Sequence, residues 1–193
     1  MSVGRRAGCV AGVALAALAG CASSGAAGVI SYLDEKTAVT VRATTTPWVL
    51  ARELPELSAN SRDYLDLRLL EVDRMGERID YLSVVAWSTI NRWVDVRPPE
   101  LGRLTLRLDG ESVELTPTTP ESEAAGLSQR MLTRRHGQHS SAEYRVTREL
   151  IRRMASAERV SVSLSGDEGA LYEPWAPARE TFVAFAGGGP RRQ

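Results

Sequence analysis

Cysteine, histidine and lysine are nearly missing from this chain, and each shortage removes a class of chemistry. The two cysteines, Cys9 and Cys21, both lie in the first 21 residues. Everything beyond them lacks a thiol for a disulfide, a thiolate metal site or a nucleophile. His136 and His139 are the only histidines. No HExxH pattern accompanies them, and two imidazoles alone do not complete a zinc site, so they read as solvated loop residues and no metal is expected. No Gly-x-Ser-x-Gly elbow announces a serine hydrolase. Ser161, Ser163 and Ser165 alternate with apolar residues and read as the outer face of a strand. Net charge is also lacking: 24 basic residues balance 24 acidic ones, with Lys36 the single lysine. A near-neutral chain has no electrostatic grip on nucleic acid. No cofactor motif and no internal repeat is visible.

What is present begins at the N-terminus. Arg5 and Arg6 precede an almost wholly apolar run from Ala7 to Ala19. That run is shorter than the ~20 residues a membrane-spanning helix needs. A basic start, a short apolar segment and small residues make the three parts of a secretory signal. The run closes on Leu18-Ala19-Gly20-Cys21, which resembles a bacterial lipobox. The resemblance implies cleavage before Cys21 and acylation of its thiol and new amine, anchoring the protein through several chains. Ala7-Gly8 after the arginine pair departs from the twin-arginine motif, so the general secretory route is expected. Ala22 stands where inner-membrane retention signals carry Asp, which by the same resemblance implies the outer membrane, with the domain in the periplasm. Removal of residues 1–20 leaves a chain of ordinary single-domain size, able to bury a core without staples.

Downstream, alternation dominates. Thr37–Arg42 and Trp48–Arg52 read as strands separated by Pro47. Leu65, Leu67 and Leu69 alternate with Asp66 and Arg68; the phase then slips so that Leu70 and Val72 become the apolar set. A slip of one residue predicts a β-bulge inside a long hairpin over 64–88. Asp109-Gly110 between alternating runs predicts a second hairpin over 103–116. Residues 116–141 are polar, with a short helix expected around Glu121–Leu132. Thr147 caps a helix running to about Ala157, with Val146 and Ile151 placed as a hydrophobic staple. Val160, Val162 and Leu164 make a further strand, and Thr181–Phe185 closes the domain. The expected fold is mainly β: an antiparallel β-sandwich, immunoglobulin-like or jelly-roll-like, of eight or nine strands with one covering helix. The expected division is a signal over 1–20, an anchor and flexible linker over 21–36, the β-sandwich over 37–186 and a frayed tail over 187–193.

Asp63-Tyr64, Asp73-Arg74-Met75-Gly76, and Trp87-Ser88-Thr89-Ile90 with Arg92 resemble a loose group of uncharacterised proteobacterial β-rich lipoproteins. The resemblance covers about the middle half of the chain and carries no activity to transfer.

Two constellations bear on function. Asp63, Asp66, Glu71, Asp73, Glu77 and Asp80 crowd the central hairpin, interleaved with Arg62, Arg68, Arg74 and Arg78. Opposite charges facing each other on the solvent side explain that composition more simply than paired catalytic carboxylates. Trp87 sits in an apolar strand and is expected in the core, whereas Trp93 and Trp175 are near loops and are candidates for a partner surface. The sequence therefore points to an envelope lipoprotein acting as a non-enzymatic binding or structural module. Its partners would be the membrane through Cys21 and another envelope protein or peptidoglycan. The alternatives are a periplasmic enzyme and a small-molecule or cell-wall binder.

Overall fold

The computed structural model describes residues 28–89, 101–118, 127, 139–165, 170–176 and 179–188. The lipobox, Trp93, His136 and all of the expected helix over 121–132 except Leu127 lie outside these residues. The fold is mainly β, every strand pairing is antiparallel, and the two sheets form an open sandwich-like arrangement.

The organising element is the hairpin of β4 (Arg62–Arg74) and β5 (Glu77–Ser88). Its turn places Met75 and Gly76 at φ +54° and +92°, the two-residue type I′ geometry whose twist matches paired strands. The bulge predicted at Leu69-Leu70 is absent. Pairing runs without a shift from Asp63↔Ser88 to Arg74↔Glu77. The apolar phase changes because the strand is covered on different faces along its length. Leu65, Leu67 and Leu69 face the main core, while Leu70 and Val72 point the other way into a second cluster with Val39, Val41, Ala43, Tyr81 and Leu127. A strand buried on both faces needs no bulge to hide a shifted apolar set.

Two strands share the other flank of β4. β3 (Trp48–Glu53) pairs with its first half through Trp48↔Leu67, and β2 (Val39–Thr44) with its second half through Ala43↔Leu70. At the seam between them, the Leu69 amide donates to Thr44 Oγ1 at 3.1 Å, so the backbone there keeps a partner. β1 (Val29–Asp34) extends the sheet beyond β2, so residues 29–34 of the expected linker belong to the sheet. Their hydrophobic residues supply what a leash does not need. On the far side, β9 (Ser140–Val146) follows β5 and carries the two-residue β8 (Pro117–Thr118).

The smaller sheet orders β10 (Val160–Leu164), β6 (Leu104–Leu108) and β7 (Glu111–Leu115). Its 6–7 hairpin turns on Asp109-Gly110, both at positive φ, as their identity predicts. Leu104, Leu106, Val162 and Leu164 point into the core, and Ser161 and Ser163 lie half-buried on the other face.

Among the described residues, two helices rather than one complete the core. In α1 (Arg148–Ser156), Thr147 Oγ1 accepts from the Leu150 amide, and Leu150, Ile151, Met154 and Ala155 are buried. The second, α2 (Arg179–Gly187), takes up the segment over 181–185 that closes the domain. Phe182 and Phe185 are three residues apart and both fully buried, while Val183 between them is exposed. That spacing is a helical face, not strand alternation. Phe182 meets Trp48 edge-on at 5.1 Å, which fixes α2 against β3.

Candidate functional site

The acidic hairpin divides between the faces of β4 and β5 instead of lining a solvated surface. Asp73 and Glu77 behave as the composition predicts: Glu77 pairs with Arg74, and Asp73 faces Arg78 across the hairpin, accepts from Arg78 Nε at 2.8 Å and accepts from the Gly76 amide. These bonds hold the Asp73 carboxyl below the usual range. Glu77 is exposed. Asp63 is buried and bound by Arg52 of β3 at 3.1 Å. Asp66 is buried on the opposite face and accepts from Trp87 Nε1 at 2.9 Å. Placing these charges on the solvent side is therefore wrong for Asp63, Asp66, Glu71 and Asp80. Arginines and an indole from neighbouring elements make their burial tolerable.

Among the described residues of the acidic hairpin, Glu71 and Asp80 are the pair of carboxylates that converge. They face each other across β4 and β5, and β2 places Arg42 beside Glu71. Arg148, at the start of α1, donates through Nη2 to both Glu71 Oε2 and, at 2.8 Å, Asp80 Oδ1. Arg42 lies 3.7 Å from Glu71 and donates to the Ala184 and Phe185 carbonyls at the end of α2. Its guanidinium sits 4.4 Å over the Phe185 ring. Two arginines thus neutralise two carboxylates where both helices meet the sheet. Burial pushes the Asp80 carboxyl above its ordinary range and the Arg42 guanidinium below its own. The arrangement acts as a clamp. Each carboxylate accepts from Arg148, so the pair ties the start of α1 to the sheet.

The surface with binding character lies at the opposite end of β4. Tyr64 and Trp87 occupy directly paired positions and stack at 4.2 Å with an 11° interplanar angle. Trp175, on β11 (Glu173–Ala176), stands edge-on to Tyr64 at 6.2 Å. The register with β3 shifts between Pro174 and Ala176, so Trp175 stands at the irregularity of an edge strand. The Arg62 guanidinium lies 4.3 Å over its ring and is itself held by Glu53 at 2.9 Å. That bond to Glu53 raises the Arg62 pKa. Cation–π contact and the Tyr64 edge orient the indole without covering it: Trp175 remains 51% exposed. The result is a pre-oriented aromatic platform beside a cation and a carboxylate.

Of the residues proposed from sequence, Trp175 is exposed and Trp87 half-buried against the core. Trp93, Leu18, Ala19, Gly20 and Cys21 lie outside the described residues. Sequence reasoning missed Arg62 and Tyr64 as the frame of Trp175, because cross-strand stacking depends on register. It also missed the partnership of Arg42 and Arg148 with the hairpin carboxylates. Among the described residues, no group of three or more His, Cys, Asp or Glu side chains is placed to hold a metal, and no helix is long and apolar enough to cross a membrane. No protein-family model, curated protein or solved structure matches this chain.

Proposed function

We propose that this chain is a lipid-anchored lipoprotein of the bacterial outer membrane, its domain held in the periplasm as a non-enzymatic binding or structural module. The observation that carries the anchor is Leu18-Ala19-Gly20-Cys21, followed seven residues later by Gly28 at the threshold of the sheet. Such a spacing leaves a short tether and then a folded domain. Trp175 supports the module reading: it is a half-exposed aromatic group held in a fixed orientation by Arg62 and Tyr64. Rigid aromatic groups recognise partners at low entropic cost, and their faces stack on sugar rings or protein apolar groups. Trp93, near the end of β5 in sequence, is proposed as a second contributor to that surface.

Crosslinking of the tagged, lipidated protein in intact envelopes, followed by mass spectrometry, tests this function. A stoichiometric envelope protein or a muropeptide, lost in Trp175→Ala while the fold is retained, is the expected result. Turnover of a periplasmic substrate that Trp175→Ala leaves intact would replace the module by an enzyme.

A further inference from the structure

β1 is an edge strand with an unusual surface. One side pairs with β2 from Val29↔Thr44 to Asp34↔Val39, and among the described residues no strand pairs with its other side. Ile30 is 47% exposed, Tyr32 39% and Leu33 58%. Ile30 and Tyr32 share one face of the sheet and Leu33 lies on the other, so the apolar groups form a rim around the edge rather than a patch on one face. Edge strands are ordinarily protected by lysine, proline or an inward charge. This one has no lysine or proline, and its one charge, the buried Asp34, comes at the strand's last residue, so Val29–Leu33 carries none.

The tether decides what meets this rim. Six residues lie between Cys21 and Gly28, so the seven steps from one to the other reach at most about 25 Å whatever their conformation. A domain of this length has a radius of gyration near ~15 Å, and is wider than the tether is long. A chain lipidated at Cys21 therefore keeps the β1 corner closest to the bilayer. A fluid interface can wrap both faces of an edge, as this rim requires.

We infer that β1 rests in the bilayer interface, with Ile30, Tyr32 and Leu33 among the lipid headgroups and upper acyl chains. The inference rests on Cys21 being the lipid-bearing residue. The depth is interfacial because an open sheet edge does not sit in the hydrocarbon core. Tyr32 suits that level, where one end of an aromatic side chain is apolar and the other wet. The neighbouring Glu35 and Lys36 cancel, so attachment does not depend on anionic lipid.

The lack of any cysteine after Cys21 makes the test direct. Ile30→Cys, Leu33→Cys and Met75→Cys are introduced singly into the full-length chain, and the acylated protein is nitroxide-labelled in phosphatidylethanolamine–phosphatidylglycerol vesicles. Met75, fully exposed at the β4–β5 turn, is the aqueous reference. Labels at 30 and 33 are expected to collide severalfold more with oxygen, relative to a water-soluble nickel complex, than the label at 75. Equal accessibility at all three positions in protein that floats with the vesicles would overturn the β1 inference and leave the anchor standing. Spin–spin broadening at 33 under dilute conditions would replace the bilayer by a second copy paired along this edge. Protein that carries no acyl group and does not float would remove both the anchor and the inference.

Discussion

At the residue scale, the Arg148 clamp is the sharpest case of a side chain that several elements depend on. Removing its guanidinium leaves Glu71 and Asp80 facing each other, both largely buried. Arg148→Ala is expected to cost about 2 kcal/mol, below the range for fully buried pairs because Arg148 is partly exposed. Chemical denaturation at neutral pH measures this. Asp80 carries a pH signature of its own. Burial raises its folded pKa above the ordinary 3.8, so the native state binds more protons than the unfolded one above that pH. Its stabilising contribution is complete below the unfolded pKa and is lost as pH rises through the raised value. Asp80→Asn removes this dependence, so the stability of wild type relative to the variant should fall as pH increases from about 4. A constant difference across that range would show that burial is not what holds the Asp80 proton.

At the element scale, α2 is where sequence reasoning and structure part most clearly. Both hairpin turns are visible in the sequence, as are the Thr147 cap and the strands of the smaller sheet. They are local signals: a dipeptide at positive φ, a capping hydroxyl, an alternating run. The second helix is not, because Thr-Phe-Val-Ala-Phe satisfies strand propensity, and only the distant Trp48 and Arg42 settle the matter. The β4 phase slip misled for a related reason. Period-two reasoning assumes one covered face, and a second core cluster supplied the other. The docking of α2 also depends on Gly28, at φ +84°, where a Cβ would stand 2.6 Å from Thr181 Cγ2. Gly28→Ala is therefore strained in backbone and in space, and should lower thermal stability and loosen α2 together, read as amide exchange over 179–187. The opposite sign is expected at Met75, fully exposed at φ +54°. Asn tolerates that conformation and completes the preferred Asn-Gly turn, so Met75→Asn should stabilise by about 0.5 kcal/mol.

At the scale of the whole molecule, the domain carries its two proposed contacts on one flank of the large sheet. β2 and β3 lie end to end along β4, so β1 and β11 are the outer strands of the same flank. The platform at Trp175 stands toward the first half of β4 and the β1 rim toward its second half. Trp175→Ala should leave the melting temperature nearly unchanged, because the side chain is half-exposed, while reducing recovery of the envelope partner. Trp175 was legible from its place between prolines in a loop-rich stretch; its orienting residues came from β4 and needed the register. The carboxylates were legible as a group, yet their arginine partners on β2, β3 and α1 lie up to 77 residues away. Location and function meet at Cys21. Intact-mass and N-terminal peptide analysis of the protein purified from bacterial envelopes tests its lipidation directly. The expected product is a mature chain beginning at Cys21 and carrying diacylglyceryl on its thiol. An unmodified Cys21, within a chain that keeps residues 1–20 or is cut elsewhere, would contradict the lipid anchor.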